Sequence, residues 1–368
     1  MTYMKKILTI LAVGIMAAGQ VAFAQSTSKL TATKANEYGL IYTLPRTAFE
    51  VTIAAEKTVK TPGEFYQYAK KYLSTDPILK SSTSWKVVDA VVNPIGIADE
   101  SEQYLVTLKG GQGTYISVND KNFPVSINDE SYSGEVDLTP LPKAVEAQPT
   151  VLQKPVAQQA MTPEMIQSKS SAKRAELAAA KIYELRTNRN EIIAGQADAM
   201  PSDGAAMKLA LDQITAQEEA LTAMFLGTVQ TSVEVRTFTV SVPDDGAPDR
   251  VVVARLSVLD GLVDATDLSG DPIYLSIKPL TQGKLPVNEK GEVKKFPKGG
   301  VAYRIPGTAE VTLQVGNKVL VDKEFDVAQY GVVFGVDPSV FTNKKAPSYL
   351  HFNPLTGAIR ELGVIENQ

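Results

Sequence analysis

The sequence predicts an α+β protein in which two mainly antiparallel, sandwich-like β domains flank a long antiparallel helical hairpin. Three observations predict it. Across residues 36–137 and 228–368, apolar side chains alternate with polar ones, the period of a half-buried strand. Turn-forming Gly, Asn and Pro punctuate both stretches. Between them, residues 163–227 change to helical spacing and to a composition rich in Ala, Glu, Lys and Arg.

The N-terminus has the three parts of a secretory signal peptide. Lys5 and Lys6 precede an apolar run over residues 7–18, and Ala22-Phe23-Ala24 forms a small-x-small cleavage site. The run is shorter than the roughly 20 apolar residues that a bilayer span requires. Residues 1–24 are therefore expected to be removed after Ala24, releasing the chain to the periplasm or the cell surface. No later stretch is apolar enough to span a membrane. The chain has 0 cysteines, so neither a disulfide nor a lipidated cysteine holds it.

The N-terminal β-rich domain is expected over 25–138. Tyr38, Leu40 and Tyr42 alternate, as do Phe49, Val51 and Ile53. Residues 85–92 and 104–108 continue the pattern, and Lys109-Gly110-Gly111-Gln112-Gly113 turns into a return strand at 114–118. One helix interrupts, with Pro62 in its first turn and Phe65, Tyr68, Ala69 and Tyr72 at helical spacing. Pro140, Pro142, Pro149 and Pro155 then mark 139–162 as an extended linker.

The hairpin, 163–227, begins with one helix from Pro163 to about Ala194, whose apolar stripe is Ala175, Ala178, Ile182, Leu185 and Ile192. Residues 195–201 break it, and Ser202 or Asp203 caps a second helix. That helix carries Met207, Leu211, Ile214, Leu221 and Phe225 on one face and closes at Gly227. The C-terminal domain, 228–368, opens with Val233, Val235, Thr237 and Thr239 in alternation and turns at Asp244-Asp245-Gly246 into a strand over 250–259. Gly316-Asn317 is a two-residue hairpin loop between 311–315 and 318–321. A last hairpin pairs 349–352 with 358–362 around Asn353-Pro354-Leu355-Thr356-Gly357.

Few residues carry chemistry. The formal charge is −4 with no basic patch, which argues against a nucleic-acid partner. A Ser-His-Asp triad would have to use His351, the sole histidine, and no G-x-S-x-G elbow accompanies it. One histidine and no cysteine leave no transition-metal set, and no cofactor is expected. Calcium needs only oxygens. Asp264, Asp267 and Asp271 cluster near Gly270, and Asp244, Asp245 and Asp249 cluster in another loop, but neither set has the spacing of a calcium loop. No carboxylate pair stands out for glycoside hydrolysis. A single tryptophan, Trp85, counts against a dedicated carbohydrate module; an exposed platform around Trp85 or the tyrosines would favour one.

Charges on the apolar faces of the hairpin need partners. Arg189 lies between Leu185 and Ile192, flanked by Tyr183 and Arg186, and Glu218 lies between Ile214 and Leu221. A turn near Asp198 would set Asp212 opposite Arg186 and within a turn of Arg189, and Lys181 near Glu218. The sequence therefore predicts an Arg186/Arg189–Asp212 pairing. In the structural reading Asp212, Glu218 and Lys181 are ion-pair partners that set the register. In the functional reading Tyr183, Arg186 and Arg189 form a docking face for an anionic ligand or partner.

Several runs carry a resemblance. They are Ile182-Tyr183-Glu184-Leu185-Arg186-Thr187-Asn188-Arg189, Pro201-Ser202-Asp203-Gly204, Glu218-Glu219-Ala220-Leu221, Ala302-Tyr303-Arg304-Ile305-Pro306-Gly307 and Phe352-Asn353-Pro354-Leu355-Thr356-Gly357. With the signal peptide, they resemble an uncharacterised family of exported proteins from Bacteroides-type bacteria, domain of unknown function 4831. The resemblance implies a Gram-negative envelope location and transfers no catalytic residue. The resulting expectation is a non-catalytic envelope protein that binds or scaffolds an envelope protein or a glycan. The alternatives are a glycan- or small-ligand-binding module and a carboxylate-dependent glycan hydrolase.

Overall fold

The computed structural model describes residues 26–29, 39–107, 115–198, 204–242, 250–341 and 348–365. Residues 1–24, expected as a signal peptide, lie outside them, as do Tyr38, the expected 109–113 turn, the expected Ser202 or Asp203 cap and the acidic residues of 244–249. The architecture is α+β, with mostly antiparallel sheets and a few helices.

Segments that read as separate short strands fuse into long ones. After β1 (Ser26–Lys29), β2 runs over Leu40–Thr61, and after a 3-10 turn and α1 (Ala69–Leu73), β3 runs over Ser82–Thr107. The two pair antiparallel from Leu40↔Val106 to Lys60↔Ser82. Register shifts fall at Thr43/Pro45 and Ala54/Ala55. Proline cannot donate to a ladder, so a bulge at Pro45 lets the strand continue past it. β4 (Ile116–Val118) and β5 (Pro124–Ile127) follow.

The 139–162 linker is only half extended. Val145 exchanges both backbone hydrogen bonds with Val233, but Val151–Gln153 form a 3-10 turn and Pro155–Gln159 form α2. Ala157 and Ala160 are buried. Proline at the first helical position costs no hydrogen bond, so the residue that reads as a breaker here starts a helix. The single helix expected from Pro163 is also divided. α3 spans Pro163–Gln167 and α4 spans Ser171–Ala194, with Ser168 and Ser170 extended between them. The Ser170 hydroxyl accepts from the Lys173 N–H and so caps α4, and Gly195 ends it at φ +69°. α5 spans Gly204–Leu226. The two helices meet through Ala178, Ile182 and Leu185 against Leu221 and Phe225, over Phe65 and Met165.

The remaining strands are β6 (Thr228–Ser241), β7 (Arg250–Ser257), β8 (Gly261–Asp264), β9 (Gly270–Thr281), β10 (Val301–Val315), β11 (Lys318–Val336), β12 (Ser348–Phe352) and β13 (Ile359–Val364). Three sheets result, in the orders β1-β3-β2-β6, β11-β10-β9-β7-β8 and β13-β12-β5-β4. Two of them combine strands from both halves of the chain. β6 pairs with β2 from Ala48↔Ser241 to Thr61↔Thr228, and β12 pairs with β5. The expected division at 138 and 228 therefore separates strands that share a sheet. Alternation reports which faces of a strand are buried and is silent on its partner. The first two sheets share one core around Phe49, Val51, Ile53, Leu275, Val311 and Leu313. Tyr42, Tyr104, Ile127, Val301, Leu350 and Phe352 join all three sheets in another.

Candidate ligand site

The charges on α4 and α5 find partners other than those expected. Arg186 Nε donates to Glu218 Oε1 at 2.6 Å, and Arg189 Nη1 donates to Glu218 Oε2. Asp212 is exposed and Glu218 is buried. Lys181 pairs with Glu184 of its own helix at 2.6 Å. The expected Arg186/Arg189–Asp212 and Lys181–Glu218 pairings are thus replaced. The facing register slides nearly two helical turns along α5, from Asp212 to Glu218. The Tyr183 hydroxyl donates to the Tyr72 carbonyl at 2.7 Å, and the Arg186 guanidinium lies 5.6 Å from the Tyr183 ring centre. Each of the three side chains of the expected docking face thus has a polar partner within the fold.

The calcium candidates do not converge. Asp264 pairs with Arg236, the Asp267 carboxylate accepts from the Ser269 N–H, and Asp271 lies in β9 opposite Leu256. Among the described residues no group of three or more His, Asp or Glu side chains is arranged to hold a metal. Of the three, Asp267 satisfies a turn backbone.

A pocket of about 420 Å³ opens where the third sheet meets β3. The turn after β4 forms one wall. Asn119 Oδ1 accepts from the N–H groups of Lys121 and Phe123, both at 3.0 Å, and Asn122 sits at φ +60°. Lys121 Nζ donates to the Gly96 carbonyl of β3 at 3.1 Å. Gly96 has no room for a side chain, since a Cβ would lie 2.6 Å from the Pro354 carbonyl. That contact presses the β12–β13 turn against β3 and places Pro354 and Leu355 in the lining. Phe123 and Val125 are buried lining residues, while Asp120, Lys121, Glu130 and Ser133 are exposed.

Tyr132 supplies an aromatic wall. Its hydroxyl donates to the Phe352 carbonyl at 3.4 Å and accepts from Arg360 Nη1 at 3.3 Å. Its ring stacks on the His351 imidazole, with centres 3.9 Å apart and planes 9° from parallel. His351 Nε2 lies 2.7 Å from Asp129 Oδ2, and Nδ1 lies 3.4 Å from Glu361 Oε2. Hydrogen bonds from Ser131, with the contact to His351, hold the Asp129 carboxyl below its ordinary range. Both imidazole nitrogens face carboxylates, which leaves neither to take the proton of a serine nucleophile.

Residues 38–360 match a family model described as a domain of unknown function, DUF4831. The chain belongs to that family. Comparison with curated proteins and comparison with solved structures each found no match. In this DUF4831 protein the matched span contains every lining residue of the pocket, together with Asp129 and His351. Among the described residues, no helix is long and apolar enough to cross a membrane.

Chemically, the pocket of this DUF4831 protein joins apolar and polar groups. Its floor is apolar and its rim carries two carboxylates, an ammonium and hydroxyls. Burial and then neighbouring Glu324 push the Asp326 carboxyl of β11 up, but Asp326 does not line the pocket. Trp85 packs against Gly261 and the main core, so it is no exposed platform. The aromatic wall is Tyr132, which sequence reasoning missed along with Lys121, Phe123 and Glu130. They lie on turns and loops without periodicity. One trace was visible, because the Phe352-Asn353-Pro354-Leu355-Thr356-Gly357 run carries Pro354 and Leu355.

Proposed function

We propose that this protein is a non-catalytic, exported envelope protein of Bacteroides-type bacteria that binds a ligand in the pocket between residues 117–121, 130–138 and 354–355. Lys5, Lys6, the apolar run and Ala22-Phe23-Ala24 support export. In the same reading, the two sheets that share the main core act as a sandwich, and α4 and α5 as an antiparallel hairpin. The observation that carries the binding role is the pocket itself. Its volume of about 420 Å³ falls within the roughly 300–1,000 Å³ of ligand sites, with an apolar floor and a few polar groups at the rim.

A fragment screen by protein-observed NMR on the mature chain tests it. Shifts should concentrate on Lys121, Tyr132 and Gly134 and disappear in Ser133→Trp, which fills the mouth. A screen whose hits all map elsewhere would defeat the proposal. A second reading, an anionic partner docking on Tyr183, Arg186 and Arg189, has the half-exposed Tyr183 ring in its favour. Its weakness is that Glu218 already accepts from both guanidiniums.

A further inference from the structure

We infer that the ligand of this pocket is a neutral sugar, one unit of which lies flat against the ring of Tyr132. The inference rests on the pocket reading above and names the class of ligand.

Tyr132 can offer a ligand only its ring. Its hydroxyl already donates to the Phe352 carbonyl and accepts from Arg360. The imidazole of His351 covers one face of that ring, and Asp129 and Glu361 hold the imidazole from both sides. Turning the ring would break the stack and pull its hydroxyl from two partners. The wall is therefore rigid before any ligand arrives, which lowers the ordering cost of binding.

A fixed aromatic wall suits three ligand types: another aromatic ring, a cation, or the C–H face of a sugar. The rim separates them. A cation stacked on Tyr132 would meet the Lys121 ammonium, which the Gly96 carbonyl tethers at the pocket. An anion would meet Asp120 and Glu130. A purely aromatic ligand would use none of the charged and hydroxyl groups of the rim. A polyhydroxylated neutral ring satisfies all of them. Its hydroxyls donate to the two carboxylates and accept from Lys121 and the hydroxyls of Ser117 and Ser133. Its C–H face meets Tyr132, Phe123 and Leu355. The exposed rim leaves the mouth open to solvent, so a longer glycan can continue outward from the bound unit.

The test applies the mature chain to an array of neutral and acidic glycans and measures hits by calorimetry. Tetramethylammonium and phenol serve as cation and aromatic probes. Neutral glycans should bind. Tyr132→Ala should weaken them roughly tenfold or more, whereas Tyr132→Phe, which keeps the ring, should stay within about threefold. Thermal melts establish that both variants fold, and Tyr132→Phe carries the comparison if Tyr132→Ala does not. Tetramethylammonium or phenol bound in the pocket, with no neutral glycan bound, would overturn the sugar and leave the pocket reading standing. Glycan binding that ignores Tyr132→Ala would overturn the stacking site. An absence of pocket binding by every probe and fragment would remove both readings.

Discussion

Arg304 of β10 donates from Nη2 to Asp99 Oδ2 of β3, across the seam between two sheets and a sequence separation of 205. Both side chains are about nine-tenths buried. The Arg304 N–H also donates to the Gly357 carbonyl at 2.9 Å, so one residue ties together β10, β3 and the β12–β13 turn. Removing one member of a buried pair strands the other charge. Asp99→Ala should therefore cost about 3–5 kcal/mol in urea unfolding. Adding Arg304→Met should recover part of the loss, and a double variant no better than Asp99→Ala would argue against the pair.

The same carboxyl makes stability depend on pH. Burial pushes the Asp99 carboxyl up, but hydrogen bonds from Ser101 and the Arg304 guanidinium outweigh it and hold the group below its ordinary range. A depressed folded-state pKa stabilises above the unfolded value of about 3.9 and ceases to do so as pH falls through the folded value. The stability gap between wild type and Asp99→Asn should narrow as pH drops from about 5 to about 3. Unfolding midpoints across that range measure it.

Glu218 and Asp212 distinguish the two registers of α4 against α5. Glu218→Ala removes the acceptor of both arginines and should cost about 1–3 kcal/mol. Asp212→Ala, at an exposed site, should stay within about 0.5 kcal/mol of wild type. The reverse order in chemical denaturation would restore the pairing read from the sequence.

The Tyr42 hydroxyl closes a buried loop of hydrogen bonds with one residue. It donates to the Ala302 carbonyl at 3.1 Å and accepts from the Ala302 N–H at 2.8 Å. Burial pushes its phenol well above the usual tyrosine range. Tyr42→Phe keeps the ring against Tyr104 and takes one partner from each Ala302 group. A loss of about 1–3 kcal/mol should follow, read from the urea midpoint.

Two glycines at helix ends should respond unequally to alanine. Gly195 stands at φ +69° in open space, so Gly195→Ala should cost only the left-handed backbone, about 1 kcal/mol. Gly227 stands at φ +88°, and a Cβ there would lie 2.3 Å from the Thr61 carbonyl. Gly227→Ala should lower the melting temperature clearly more than Gly195→Ala, since a backbone oxygen cannot swing aside as a side chain can.

Local order was legible wherever one stretch of chain decides it. The Gly316-Asn317 turn joins Val315 to Lys318, with Gly316 at φ +55°, because a two-residue loop needs a residue that tolerates that backbone. The pairing of β12 with β13 and the buried stripe Ala175, Ala178, Ile182 and Leu185 follow from spacing in the same way. Ser170 was the local signal passed over: its capping hydroxyl divides α3 from α4 within a run that otherwise reads as one helix.

By itself, the sequence determined the α+β class, the buried helix stripes, the turns at 316–317 and 353–357 and the family. All four depend on residues a few positions apart, or on runs matched as strings. Tertiary structure alone decided that β6 would complete the sheet of β2, that Glu218 and not Asp212 would meet Arg186 and Arg189, and that Tyr132, Phe123 and Pro354 would share a pocket. Those outcomes compare the burial and hydrogen bonding of whole surfaces. A strand with one apolar face fits many partners until the competing cores are weighed against each other.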